Sequence, residues 1–329
     1  MTYSVPSVVK NRAVVYHYPV MRLRAVSIDR ELGDALRRGI FRGAVLSVHR
    51  NAAYLETDDG SLIALAREEV GNGPGFVLLP RVAAFPEGIV PSGPFTAEGG
   101  LISLGGGRIA VETGGAAAWD AVLRPRAGSP VRDIGECARA ALGLAAARCR
   151  GLGLCPLVGA IAEIAEGRSA AARAGECAFT EVRVRLFADA VFRGDGAADA
   201  ARALIGLGDG LTPSCDDMLV GLAGIFHGIS ADPRSRAWAR GILGGLREAI
   251  GEAGGRTTPV SAHFLRAAAR GRFTERAKGL IEAVLGADEK RVASAAERVL
   301  EYGAASGADL IFGVTLAGLI VSRRQKEES

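Results

Sequence analysis

The stretch Gly206-Leu207-Gly208-Asp209-Gly210-Leu211-Thr212-Pro213-Ser214-Cys215-Asp216-Asp217, continued by the apolar run Met218 to Ile229, decides how the chain is read. Three glycines, two hydroxyls and three carboxylates precede a segment with the length and apolarity of a buried helix. Thr212 is expected to act as N-cap and Pro213 as the first helical residue, where its missing N–H costs nothing. Ser214 and Asp217 stand close to a capping-box spacing and compete with Thr212 for that role. A flexible loop ending at a helix start offers N–H groups and the positive end of a dipole to an anion. An ordinary capped helix after a tight turn would use the same residues.

Downstream of residue 129 the chain is helical in pattern, with apolar residues recurring three and four apart and short connections between segments. Expected helices run Pro130–Arg150, Leu157–Glu166, Ser169–Phe192, Ala197–Leu207, Pro213–Ile229, Pro233–Ala253, Pro259–Ala269, Thr274–Leu285, Asp288–Tyr302 and Ser306–Arg323. Upstream, a helix over Asp29–Arg38 is followed by short apolar or alternating runs at Ala44–Val48, Ala53–Thr57, Ser61–Leu65, Phe76–Leu79, Leu101–Leu104 and Ile109–Thr113. Asp58-Asp59-Gly60, Gly71 to Gly75 and Gly105-Gly106-Gly107 supply turns between them. The fold class is therefore α+β. Residues 1–128 form a β-rich barrel or sandwich, and residues 129–329 an α-helical bundle carrying the glycine-rich stretch.

Composition narrows the function classes. Hydrophobic residues make up 49% of the 329 residues, enough for a large core. Thirty-six arginines against four lysines are nearly matched by acidic residues, leaving a formal charge of +4, too balanced to imply nucleic acid. Five cysteines with no Cys-x-x-Cys pair read as free thiols of a reducing compartment. Four scattered histidines give a zinc site little to build on. No signal peptide is evident, and the longest apolar runs fall short of about 18 residues, so a cytoplasmic protein without a membrane span is expected.

The helical half contains an internal echo. Ser214-x-x-Asp217-x-x-x-Gly221 recurs as Ser306-x-x-Asp309-x-x-x-Gly313, and Arg256-Thr257-Thr258-Pro259-Val260-Ser261 repeats the Thr-Pro order. If these helix starts converge on one pocket, Ser and Asp line its floor and Arg256 supplies a fixed positive charge. Asp209, Asp216 and Asp217 would repel one another unless a cation sits near them. A divalent ion is compatible with that cluster, though no spacing demands one. No Gly-x-Ser-x-Gly elbow, Walker loop or dinucleotide fingerprint is present. Cys215 at a helix start could be an activated thiol, but no histidine partner is evident in sequence.

Taken whole, the 206–217 stretch resembles the signature, roughly Gly-x-Gly-x-Gly-Leu-Thr-Pro-Ser-Gly-Asp-Asp, of a bacterial family that includes the AllH subunit of oxamate carbamoyltransferase. Gly303-Ala304-Ala305-Ser306-Gly307-Ala308-Asp309 is similar to that family's Ser-Gly-x-Asp element. Cys215 departs from the pattern, standing where glycine is usual. The resemblance implies a subunit of an enzyme interconverting oxalurate plus phosphate with oxamate plus carbamoyl phosphate, working with partner subunits. Small anions are the implied substrates. On this reading Asp217 and Asp309 are the catalytic candidates, and Gly208, Gly210, Thr212, Ser214, Asp216, Arg256 and Ser306 bind substrate, with no metal ligand assigned. A non-catalytic ligand-binding or assembly subunit is the alternative, in which the polar helix starts are only caps.

Overall fold

The computed structural model describes residues 20–81, 88–125, 131–148, 151–168, 176–303 and 305–327. The Ser129-Pro130 helix start, the domain boundary near residue 128 and the helix start at Ser169 lie outside them. The strands are β1 (Met21–Arg24), β2 (Ser27–Asp29), β3 (Phe41–Val48), β4 (Ala52–Thr57), β5 (Leu62–Arg67), β6 (Phe76–Leu79), β7 (Pro94–Glu98), β8 (Leu101–Leu104), β9 (Ile109–Glu112) and β10 (Ala117–Trp119). They form one curled, half-barrel sheet in the order β1-β9-β8-β7-β3-β4-β5-β6-β2-β10. Pairing is antiparallel except at β1/β9, β5/β6 and β2/β10.

The helices are α1 (Arg30–Arg38), α2 (Val131–Arg148), α3 (Ile161–Ala165), α4 (Glu176–Arg193), α5 (Ala197–Arg202), α6 (Ser214–Ile229), α7 (Arg236–Gly251), α8 (Pro259–Ala269), α9 (Glu275–Leu285), α10 (Glu289–Val299) and α11 (Ser306–Glu327). The α+β expectation holds, as a curled sheet followed by a helical region. The Gly105-Gly106-Gly107 hairpin forms as read, closing β8 onto β9. Four strands escaped the sequence pattern. β1 and β10 are short edge strands with little burial, β2 has three residues, and β7 opens on Pro94. The segment expected as one helix over Leu157–Glu166 is a 3₁₀ turn, Cys155–Ala160, running into the short α3.

Thr258 and Thr274 cap α8 and α9, their hydroxyls accepting from the N–H of Ser261 and Ala277. Pro259 then opens α8 as the Thr-Pro order predicts. Asp29 does not cap α1, because its carboxylate is engaged elsewhere. It is 2% exposed and accepts both from the Gly75 N–H (2.9 Å) and from Arg272 Nη2, which lies 2.7 Å from each oxygen. That pair joins sheet to helices. So do the Glu275 carboxylate on the Asn72 N–H and amide (both 2.9 Å) and His263 Nε2 donating to the Pro74 carbonyl (2.8 Å). The glycine-rich 71–75 loop is thus a junction between halves.

β5 is buried along most of its length. Ile63 and Leu65 face the sheet's own core with Leu55, Val77 and Phe95. Ala64 and Ala66 face the other way with Phe76, under Phe264 of α8. The helical core is centred on α6 and α11, which lie side by side. A Cβ on Gly221 would collide with the Leu310 carbonyl, and one on Gly313 with the Met218 carbonyl. The starts of the two helices also meet, Thr212 Oγ1 lying 3.0 Å from Ser306 Oγ, so both helices run from that meeting point to the crossing and the pair is parallel. α11 is the one described helix long and apolar enough to cross a membrane, yet 78% of that span is buried inside the fold. It is packed as a core helix.

Because the neighbour at Gly313 is backbone, which cannot rotate away, Gly313→Ala should cost about 3 kcal/mol in urea unfolding. Gly241→Ala, on an exposed turn of α7 with open space around the new methyl, should instead stabilise by about 0.5–1 kcal/mol. Equal responses at the two positions would contradict the close crossing.

Candidate functional site

The loop before α6 is shaped by its glycines. Gly206 has φ +83°, and a Cβ there would strike the Arg256 carbonyl; Gly208 has φ +115°, and its Cβ would lie 2.5 Å from the Ser214 nitrogen. Such positions exclude other residues. The helix begins one residue later than expected, at Ser214, with Pro213 in the cap position and no side-chain cap. Thr212 is not the N-cap, since its hydroxyl is 3.0 Å from Ser306 Oγ and bonds to Asp217. Three of the four first-turn N–H groups are also already used. Cys215 donates to the Leu207 carbonyl (3.0 Å), and Asp216 and Asp217 to that of Pro213 (2.9 and 3.2 Å). By contrast, the N–H groups of Gly208, Asp209 and Gly210 make no hydrogen bond among the described residues. Any backbone donor array for an anion therefore draws on the glycine loop and the Ser214 N–H beside it rather than on the rest of the helix end.

The three clustered carboxylates separate. Asp209 sits exposed on the loop. Asp216, fully buried, accepts from the Gly206 N–H (2.8 Å), from Ser261 Oγ (2.6 Å) and from the Thr257 hydroxyl. It clasps the loop to the start of α8. Asp217 turns toward α11, and there the internal echo becomes physical. The Ser306 hydroxyl donates to Asp217, while the Ser214 hydroxyl donates to Asp309. Each repeat's serine serves the other repeat's aspartate. Thr212 adds a donor to Asp217, and the Leu154 N–H one to Asp309 (2.7 Å).

Both carboxyls are held toward the neutral form. Burial pushes Asp217 well above the usual carboxylate range against its two hydroxyl partners, with the Asp309 charge adding to the rise. Burial lifts Asp309 to about 6, opposed by Leu154 and Ser214. Even so, Oδ2 of each aspartate is buried without a partner. Orphaned oxygens of this kind are costly and rare in native folds.

Asp217, Asp309, Ser214, Ser306, Thr212, Gly208 and Gly210 line one cavity of about 780 Å³. It opens between the helix starts and the sheet, where Tyr54, Val70, Phe76 and Phe264 form its other wall. Asp216 and Arg256, expected at the ligand, do not line it; Arg256 is exposed and donates from Nη1 to the Arg202 carbonyl (3.1 Å). The guanidinium that does line it belongs to Arg272, already bound to Asp29 and Glu31. Sequence reading also missed Gly153-Leu154 and Tyr302, which line it too. Gly153 has φ +60° and lets its turn lie against the Asp309 carboxylate. Only the glycine pairing Gly151, Gly153 signals that turn in the sequence.

Cys215 is helical, so its replacement of glycine requires no positive φ. Its thiol is buried and pushed up to about 12, by burial first and then by Asp216 and Asp309, the opposite of an activated nucleophile. Cys137 is a second buried free thiol, but Cys155 is disulfide-bonded, against the expectation of free thiols throughout. Among the described residues no group of three or more His, Cys, Asp or Glu side chains is placed to hold a metal.

A family model described as oxamate carbamoyltransferase subunit AllH matches residues 204–318, from the glycine loop through most of α11. A model of the AllH family N-terminal domain matches residues 24–118, nearly the whole sheet. No solved structure matches the chain. With both halves accounted for, the chain belongs to the AllH-like family, named for a subunit of oxamate carbamoyltransferase.

Proposed function

We propose that the chain is the substrate-binding subunit of a carbamoyltransferase-type enzyme acting on small anionic amides, oxamate or oxalurate with carbamoyl phosphate or phosphate. The observation that carries this reading is the pair of orphaned carboxylate oxygens on Asp217 and Asp309 beside unbonded loop N–H groups. An amide or carbamoyl group has the complementary pattern. Its NH₂ donates to ionised Asp309, and its carbonyl accepts from the proton that Asp217 retains. The anionic end of the ligand lies toward Gly208 and Gly210, with Thr212, Ser214 and Ser306 holding the two carboxyls in place.

In the transfer step, the oxamate nitrogen attacks the carbamoyl carbon of carbamoyl phosphate. The C–N bond of oxalurate forms as the C–O bond to phosphate breaks. The proton lost by nitrogen passes to Asp309, while Asp217 donates a hydrogen bond to the carbamoyl oxygen as charge develops there. The reverse direction returns the proton. Arg272, neutralised by its own partners, contributes no free charge. We further propose that partner subunits complete the phosphate end, that each half of the chain is a domain with the site at their junction, and that the enzyme works in the cytoplasm.

Isothermal titration of the full chain with oxamate, oxalurate, carbamoyl phosphate and phosphate tests this. Asp217→Ala and Asp309→Asn should each weaken binding of the amides at least tenfold, about 1.4 kcal/mol, whereas Arg256→Ala should leave it unchanged. Undiminished binding in both aspartate variants would sink the site. Stability should also follow pH in a defined sense. A carboxyl raised from 3.8 to about 6 on folding contributes most below about pH 4, and that contribution is lost as pH rises through about 6. Asp309→Asn should therefore melt later than the wild type at neutral pH, by up to about 3 kcal/mol, with the difference closing toward pH 4.

A further inference from the structure

The cavity is much larger than the ligands just proposed. Oxamate fills roughly 100 Å³, the share of three or four waters at about 30 Å³ each, against about 780 Å³ available. The surplus is not uniform in character. The polar groups gather at the helix starts, while Tyr54, Val70, Phe76 and Phe264 make one contiguous apolar cluster on the sheet side, and Phe273 and Leu310 line the cavity beside them. Phe76 and Phe264 lie with ring centroids 6.1 Å apart, tilted by 57°, one from β6 and one from α8. Cavities of this size and lining take ligands with a substantial apolar body fixed by a few polar groups. Both walls come from this chain's own two halves, which suits a small molecule.

We infer that the site takes a small anionic amide carrying a ring-sized apolar substituent, an N-aryl or N-alkyl oxamate or ureide, whose body packs on Val70, Phe76 and Phe264. The inference rests on the reading that the amide end lies at Asp217 and Asp309. An N-substituted oxamate keeps one N–H for Asp309 and its carbonyl for Asp217, so the polar contacts survive while the substituent reaches the apolar wall. Burying a phenyl ring there should tighten binding at least tenfold.

Titration of the full chain with oxamate and N-phenyloxamate reads this directly. N-phenyloxamate should bind at least tenfold more tightly. Val70→Trp, at a partly exposed turn where folding tolerates change, should abolish that gain by filling the lobe while leaving oxamate affinity as it was; Phe264→Ala should reduce the gain. Oxamate binding without any advantage for N-phenyloxamate would overturn the inference and leave the polar site standing. Binding of neither compound would overturn both. A gain that persists in Val70→Trp and Phe264→Ala would put the ring elsewhere and also overturn it.

Discussion

The close crossing of α6 and α11 at Gly221 and Gly313 is the constraint on which the rest depends. Two helices can share backbone contact only where neither carries a side chain at the crossing. That contact lies one helical turn beyond Asp217 and Asp309, so it fixes how far apart their carboxyls sit. It also lets the serine at the start of each helix reach the aspartate of the other. A wider crossing, such as alanines would impose, would separate Ser306 from Asp217 and Ser214 from Asp309 together. The exchange of hydrogen bonds and the glycines are parts of one arrangement.

That arrangement is stable despite its polar contents. Two carboxyls pressed into an apolar neighbourhood, each with an unpartnered oxygen, oppose folding. The apolar flanks of α6 and α11, almost wholly buried, offset the cost. Asp216 shows what the same residue type does when it is structural. Its neighbour position on α6 turns it to Gly206, Thr257 and Ser261, and three donors satisfy it. Adjacent aspartates thus divide between holding the loop and facing the cavity, and only the second kind is left with unmet hydrogen-bonding capacity.

Much of this was legible in residue order. The 3.6-residue periodicity placed α6, α8 and α11 within a residue or so at their starts, and the Ser-x-x-Asp-x-x-x-Gly echo marked the two helices that meet. The Thr-Pro rule held at Thr258-Pro259 and failed at Thr212-Pro213, because tertiary partners at Ser306 and Asp217 claimed the Thr212 hydroxyl. Arg256 is expected at the ligand because it opens the Arg256-Thr257-Thr258-Pro259 segment that repeats the Thr-Pro order. In space, the Gly206 turn packs against its backbone and its side chain leaves for Arg202. Leu154, Tyr54 and Arg272 reach the cavity from distant parts of the chain, and no local pattern encodes that. The edge strands β1 and β10 were illegible for a simpler reason: pairing on one side leaves too few buried positions to alternate.

The absence of an uncommitted cation on the described cavity wall sharpens what the site can select. Ionised Asp309 repels negative charge, and Arg272 is spent on Asp29 and Glu31. On the proposed reading, a bare anion finds unbonded backbone donors among the described residues only at the glycine loop and the Ser214 N–H beside it, and there it also meets Asp209. A ligand with an N–H donor at one end and a negative charge at the other can place each where the field favours it, donor at the aspartates and charge at Gly208 and Gly210. Its orientation follows from the separation of the two surfaces rather than from any single strong contact. On the proposed reading, the proton that burial keeps on Asp217 is what preserves that gradient. Were Asp217 ionised, the two aspartates would carry two charges a short distance apart, and the anionic end would be driven out with them.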